Sequence, residues 1–172
     1  MLLYYSMRLP NRKPGKYTFK TFDLKITAIK FKALQQQLEH IKTVALPQAI
    51  KDTQKHAENG DFSENAEYQI AKGRLRGLNQ AVTELQYQVD HAIIIEEPSD
   101  TTTVQIGHTV TLAVNQAQVT YKILGSSETN PAAGIISYQS PLGAALLNHT
   151  VGETITVQTG TKKITYKIEK IS

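Results

Sequence analysis

From Leu34 the apolar positions step to Leu38, Ile41 and Ala45, intervals of four, three and four that put them on one helical face. At Pro47 the face shifts one position out of phase and runs through Leu46, Ile50, Thr53 and Ala57. That offset predicts a new or bent helical segment with Pro47 in its first turn, where a missing N–H does no harm. The turn-forming run Glu58-Asn59-Gly60-Asp61-Phe62-Ser63 then reverses the chain. Beyond it Ala71, Leu75, Leu78, Val82, Leu85, Val89 and Ala92 alternate steps of four and three, the narrow seam of a coiled coil. Two helices sharing such a seam across a short turn make an antiparallel hairpin. At 1.5 Å per residue the stretch from Asn65 to Ile93 is a rod of roughly 43 Å. Gly73 and Gly77 lie off the seam, so they weaken the helix without opening its core.

After Pro98-Ser99-Asp100-Thr101-Thr102-Thr103, a linker by composition, the period becomes two. Val110/Leu112/Val114, Val119/Tyr121/Ile123, Ile155/Val157 and Ile164/Tyr166/Ile168 read as strands with one buried face, and Gly160 marks a tight turn between the last two. Pro141 to Asn148 is the helix candidate of this region, with Pro141 in its first turn. The expected architecture is α+β: a basic N-terminal extension (1–22), a helical hairpin (23–97) with an acidic tip at 58–67, a linker (98–103), and a small antiparallel sheet curled over one helix (104–172).

The 172 residues are 40% hydrophobic and 20% charged, which suits one or two folded domains and argues against wholesale disorder. The absence of cysteine excludes disulfides, thiolate metal sites and a cysteine nucleophile. No run reaches the roughly 20 apolar residues of a membrane helix, and Met1 to Met7 is too short for a signal sequence, so a cytoplasmic location is expected. The net charge of +4 belongs to the extension, where Arg8, Arg12, Lys13, Lys16 and Lys20 meet no acid; without those five, fourteen basic side chains face fifteen acidic ones. That balance weakens the case for the body as a general duplex binder, while the extension reads as a solvated tail or as an accessory nucleic-acid arm.

Glu58, Asp61, Glu64 and Glu67 concentrate negative charge at the turn, with no Lys or Arg among them. Two readings are open. Carboxylates there can hold a hard cation such as Mg²⁺, which takes one or two protein carboxylates and completes its shell from water and phosphate. Asp61 and Glu64 also fit a capping box at a helix start. Lys72, Arg74 and Arg76 behind the tip form a basic cluster able to steer a phosphate backbone, or a solvated helix face. His40, His56, His91, His108 and His149 lack metal-ligand spacing and read as structural or surface residues.

The run Asn59-Gly60-Asp61-Phe62-Ser63-Glu64-Asn65-Ala66-Glu67-Tyr68, followed by Ala71-Lys72, resembles the tip signature of the GreA/GreB transcript cleavage factors of bacterial RNA polymerase. The likeness extends through Gly134-Ile135-Ile136-Ser137, Ser140-Pro141-Leu142 and Val151-Gly152-Glu153, covering roughly residues 24–171. It implies a coiled-coil hairpin followed by an FKBP-like antiparallel β domain. It also implies a factor that is not itself an enzyme, acting as a monomer without a membrane. The second domain docks at the rim of the polymerase's secondary channel, through Ser140, Pro141 and Leu142. The hairpin reaches the active centre, where Asp61 and Glu64 help hold a second Mg²⁺ shared with the polymerase, none being bound by the factor alone. Phe62, Ser63, Asn65, Tyr68, Lys72, Arg74 and Arg76 are the implied contacts to polymerase or to the RNA 3′ end, and backtracked RNA is cut internally. Glu67-Tyr68 is similar to the GreA type, whereas Lys72-x-Arg74-Leu75-Arg76 is similar to the more basic GreB helix; the GreA type is favoured. The chain departs from the family near Lys30, at Gly143-Ala144 and in its long extension. Two other functions are carried: a channel-bound regulator that inhibits without cleavage, and a prolyl isomerase or chaperone built on the second domain. Fold alone does not establish the last.

Overall fold

In the computed structural model, which describes residues 22–58, 65–115, 117–160 and 162–172, a helical hairpin stands on a mixed β-sheet domain. The first arm opens with a short strand, β1 (Lys25–Thr27), and passes directly into α1 (Ala28–His40). Thr27 has extended backbone and caps α1, its Oγ1 accepting the Lys30 N–H at 3.2 Å.

Pro47 stands in the first turn of a second helical segment, as expected, and that segment continues the first rather than starting afresh. The backbone stays in the right-handed region at His40, Ala45 and Leu46, and α1 continues through a π-helical turn, Ile41–Ala45, into α2 (Leu46–Ala57). Proline cannot donate to the carbonyl four residues back and its ring would strike it. Widening the preceding turn, so that the Leu46 N–H reaches the Ile41 carbonyl five residues back, relieves that conflict by absorbing one extra residue. The out-of-phase apolar face is the trace of this insertion. Its centre differs from the expected one: Ala49 is buried (1% exposed), while Ile50 is 39% exposed.

The second arm, α3 (Ala66–Asp90), is about 37 Å long at 1.5 Å per residue. Every expected seam residue from Ala71 to Ala92 is buried or half-buried. The bulky part of this core lies at the base, where Ile26, Leu34, Leu38 and Leu85 pack together with Phe31, Ile41, Val82 and Val89 around them. Towards the tip the buried residues shrink to Ala49 and Ala71. After α3 the strand β2 (Ile93–Ile95) pairs parallel to β1, Lys25 with Ile93 through Thr27 with Ile95, and ties the two ends of the hairpin together. These three-residue strands carry no period-two signal and were not expected from the sequence.

The second domain has strands β3 (Thr109–Val114), β4 (Ala117–Leu124), β5 (Ile135–Ser137), β6 (Thr154–Thr159) and β7 (Lys162–Ile171), ordered β5-β4-β3-β7-β6. The sheet is mixed rather than antiparallel, because β5 runs parallel to β4. The connection 125–134 reverses the chain twice through 3₁₀ turns at Ser126–Glu128 and Pro131–Ala133. Val110, Leu112, Ile123, Ile155, Val157 and Ile168 face the core with Val104 and Leu146, as the alternation predicts. Leu146 belongs to α4 (Pro141–Leu146), capped by Ser140. Residues 98–103 are held rather than loose: Asp100 accepts from the Thr102 N–H and hydroxyl, both at 2.9 Å, and Thr103 pairs with Thr150.

Gly143 lies where the start of α4 presses on the end of β5, and a Cβ built there would sit 2.1 Å from the Ser137 carbonyl oxygen. Gly143→Ala is expected to cost about 1–3 kcal/mol in denaturant unfolding, because backbone must move. Gly73 and Gly77 have nothing within 4 Å of such a Cβ. Alanine at either is expected to stabilise by about 1 kcal/mol in the same measurement, the difference in helix propensity.

Candidate functional site at the hairpin tip

Asn59, Gly60, Asp61, Phe62, Ser63 and Glu64 lie outside the described residues, so the structure defines the frame that carries them. On one side α2 ends at Ala57, with the Glu58 N–H bonded to the Gln54 carbonyl at 3.2 Å. On the other side the cap of α3 is Asn65, four residues past the start that the Asp61–Glu64 spacing suggested. Its Oδ1 accepts the Tyr68 N–H at 3.0 Å and its Nδ2 donates to the His56 carbonyl at 3.0 Å. One amide thus caps the second arm and ties it to the first. The implied contact residue Asn65 has both ends of its amide engaged inside the hairpin.

Just below this brace, His56 Nδ1 lies 3.0 Å from Glu67 Oε2, an ion-pair distance across the arms when the ring is protonated. Asp52 lies 3.9 Å from Arg74, again across the arms; the arginine is well exposed and the aspartate partly so, and at that distance the pair contributes little. The sequence places these residues on opposite sides of the turn but gives no period that pairs them. Asn65 had a readable signal, since an asparagine immediately before a helical run is a favoured cap.

The basic cluster divides. Lys72 and Arg76, four residues apart, border one shallow depression with Gln69 and Asn79. Arg74 faces a different hollow beside Asp52, His56 and Glu67. Residues two apart on a helix lie on different faces, which separates Arg74 from the other two. Tyr68 is half-buried, with the Lys72 ammonium 5.8 Å from its ring centroid. At the expected docking segment Ser140 is committed to structure: its Oγ accepts the Gly143 N–H at 3.1 Å and donates to the Ser137 carbonyl at 2.6 Å. Leu142 packs on the sheet core, and Pro141 is the exposed member of the three. His108 is buried at 1% exposure, its Nδ1 accepting the Gln105 N–H at 3.0 Å, a structural role.

Among the described residues no cluster of three or more His, Cys, Asp or Glu could hold a metal, and no helix is long and apolar enough to cross a membrane. Any cation at the tip would rest on hard carboxylate oxygens, the donor chemistry that suits Mg²⁺.

A long hairpin with an acidic turn, set on a curled sheet, defines a class that the comparisons name. Residues 24–94 match the family model described as transcription elongation factor, N-terminal, and residues 98–172 match the one described as transcription elongation factor, GreA/GreB, C-term. The transcription elongation factor GreA of Macrococcus caseolyticus is 40% identical over 129 residues, covering 74% of this chain and 82% of that protein. GreA of Bacillus subtilis is 37% identical over 141 residues, covering 81% and 90%. Among solved structures, GreA factor homolog 1 (Gfh1) of Thermus thermophilus aligns at 26% identity over 88% of this chain and 99% of that one, with a TM-score of 0.40. The chain belongs to the GreA/GreB family of transcription elongation factors, which act on RNA polymerase and stimulate its cleavage of transcripts.

Asn65→Ala is expected to lower stability by about 1 kcal/mol, the usual worth of an N-cap, in thermal or urea unfolding. Asn65→Asp keeps the acceptor for the Tyr68 N–H but sets a carboxylate oxygen against the His56 carbonyl where the amide donated, and is expected to recover only part of that loss.

Proposed function

We propose that this chain is the incoming half of a composite site for RNA cleavage, the polymerase supplying the other half. In this reading the sheet domain docks at the rim of the secondary channel, the hairpin passes inward as a monomer, and the turn meets the 3′ end of backtracked RNA. The observation that supports it is a rod about 37 Å long whose far end carries Glu58, Asp61, Glu64 and Glu67 and no Lys or Arg between them.

Asp61 and Glu64 would hold a second Mg²⁺ together with the polymerase's own groups. When bound, that ion supplies an activated water and stabilises the charge that develops at the scissile phosphate. The factor's contribution is positional: it presents two carboxylates on a stem whose arms are tied by Asn65. Lys72 and Arg76, on one face behind the tip, would offer positive charge to a phosphate backbone. The chain is then a factor and the polymerase the nuclease. Phe62 and Ser63, between the two acids in sequence, would meet the RNA end or the channel wall, and Pro141 the rim.

Stalled elongation complexes test this. Asp61→Asn and Glu64→Gln are expected to lower the cleavage rate at saturating factor by on the order of 10–100-fold, the range seen when a metal's supporting groups are removed. Competition with the native protein for the polymerase should persist, and the unfolding free energy should change by no more than the roughly 0.5–2 kcal/mol of a helix cap. Undiminished cleavage by both variants would overturn the ligand role given to Asp61 and Glu64, and absence of any stimulated cleavage by the native chain would make it a channel-bound regulator.

A further inference from the structure

Where the hairpin meets the sheet domain, directional polar contacts link the two. Thr27, the cap of α1, donates its N–H to Glu128 Oε2 at 2.8 Å and its hydroxyl to Glu128 Oε1 at 2.6 Å, while the same hydroxyl oxygen accepts from Lys30. Both carboxylate oxygens of a sheet-domain residue are therefore spent on the first residue before the helix. The first turn of α1 contains no acid of its own. Glu128, 101 positions away in sequence, supplies the negative charge that the positive end of a helix favours.

A second anchor stands beside it. Asp23 accepts the Ser126 N–H at 2.6 Å and the Tyr138 hydroxyl at 3.3 Å, and the Lys25 ammonium lies 5.0 Å from the Tyr138 ring centroid. The contact is close because residue 125 is glycine: a Cβ there would sit 2.0 Å from the Lys25 carbonyl oxygen. On the β2 side, Lys122 Nζ bonds Glu97 Oε1 at 2.9 Å. That hydrogen bond, and then the lysine's charge, hold the Glu97 carboxyl below its ordinary range. Hydrogen bonds of defined length and direction fix an angle, which an apolar patch of the same size would leave free to slide.

From this geometry we propose that Glu128 is a positioning residue: by capping α1 from the sheet domain it sets the direction in which the hairpin leaves that domain, and so aims the tip. The proposal rests on the reading that the sheet domain docks while the hairpin enters the channel. A factor held at two places gains affinity from a fixed distance and angle between them, and loosening the joint lowers the effective concentration of the tip in the channel. The tip chemistry, once seated, stays the same.

The chain has no cysteine, so Gln80→Cys and Lys170→Cys place two spin labels, one on α3 and one on β7, without interference. Double electron–electron resonance on the full chain should give one narrow distance distribution, broadened by Glu128→Ala and by Thr27→Val and retained in Thr27→Ser. In cleavage assays without labels, Glu128→Ala and Thr27→Val should raise the factor concentration for half-maximal cleavage about three- to tenfold, the worth of one or two hydrogen bonds, with the saturating rate within about twofold of wild type. Thr27→Ser should match wild type in both. An unchanged distance distribution in Glu128→Ala, or a loss confined to the saturating rate, overturns the proposal. Absence of stimulated cleavage by the native chain would overturn the channel reading instead, and the spin-label distances would still decide whether Glu128 sets the angle.

Discussion

A seam one or two side chains wide holds this hairpin together, and the rest of the molecule answers to that constraint. Two antiparallel helices have no third layer, so each arm buries one stripe and leaves the remainder in water. Four fully packed apolar residues, Ile26, Leu34, Leu38 and Leu85, concentrate at the base, where burying each contributes about 1.5–3 kcal/mol. Further out, Ala49 and Ala71 are the buried residues, and small side chains contribute far less area. The distal half is kept thin at the expense of cohesion. Polar ties appear where the seam weakens: Asn65 to the His56 carbonyl, and His56 beside Glu67.

The π turn at Ile41–Ala45 belongs to the same logic. An ordinary helix would carry its buried stripe through positions 45, 48 and 52, whereas the extra residue moves it to Ala45, Ala49 and Thr53. Pro47 thereby sets the phase of the distal seam and not merely the shape of the arm. Ile50, which a simple restart of the pattern would bury, is turned towards solvent at 39% exposure. Substituting Pro47 removes the reason for the wide turn and so threatens the register of everything between it and the tip.

Legibility from sequence followed the length of each signal. The seam of α3 repeats over seven positions and was readable throughout; the four longer strands repeat over two or three and were readable as strands. Ile135–Ser137 is too short to show a period, and its parallel pairing with β4 depends on a loop of two 3₁₀ turns that composition does not reveal. The β1–β2 pair was hidden for a second reason: its partners are separated by the whole hairpin, and each strand abuts a helix whose own pattern dominates. At the site, the residue types and their clustering at one turn were visible, and Asn65 stood where a cap belongs. Its second bond, to a backbone carbonyl nine positions earlier, was not, because carbonyls carry no sequence. The division of Lys72, Arg74 and Arg76 between two faces follows from helical geometry alone, and the cluster dissolves once each residue is placed at its angle.

The joint at Asp23, Thr27, Gly125 and Glu128 shows the same limit from the opposite direction. Each member reads locally as something ordinary: a threonine before a helix, a glycine after a strand, an acid in a loop. What makes them a unit is that a helix lacking acid in its first turn finds one in another domain, and that a strand carbonyl needs the space a side chain would fill. Deficits of this kind can be noticed in a sequence, but the residue that remedies them can be identified only in three dimensions. An elongation factor built from a thin stem and a separate base needs some such remedy at the place where they meet, because the stem's seam acts along its own length and exerts no control over the direction in which it points.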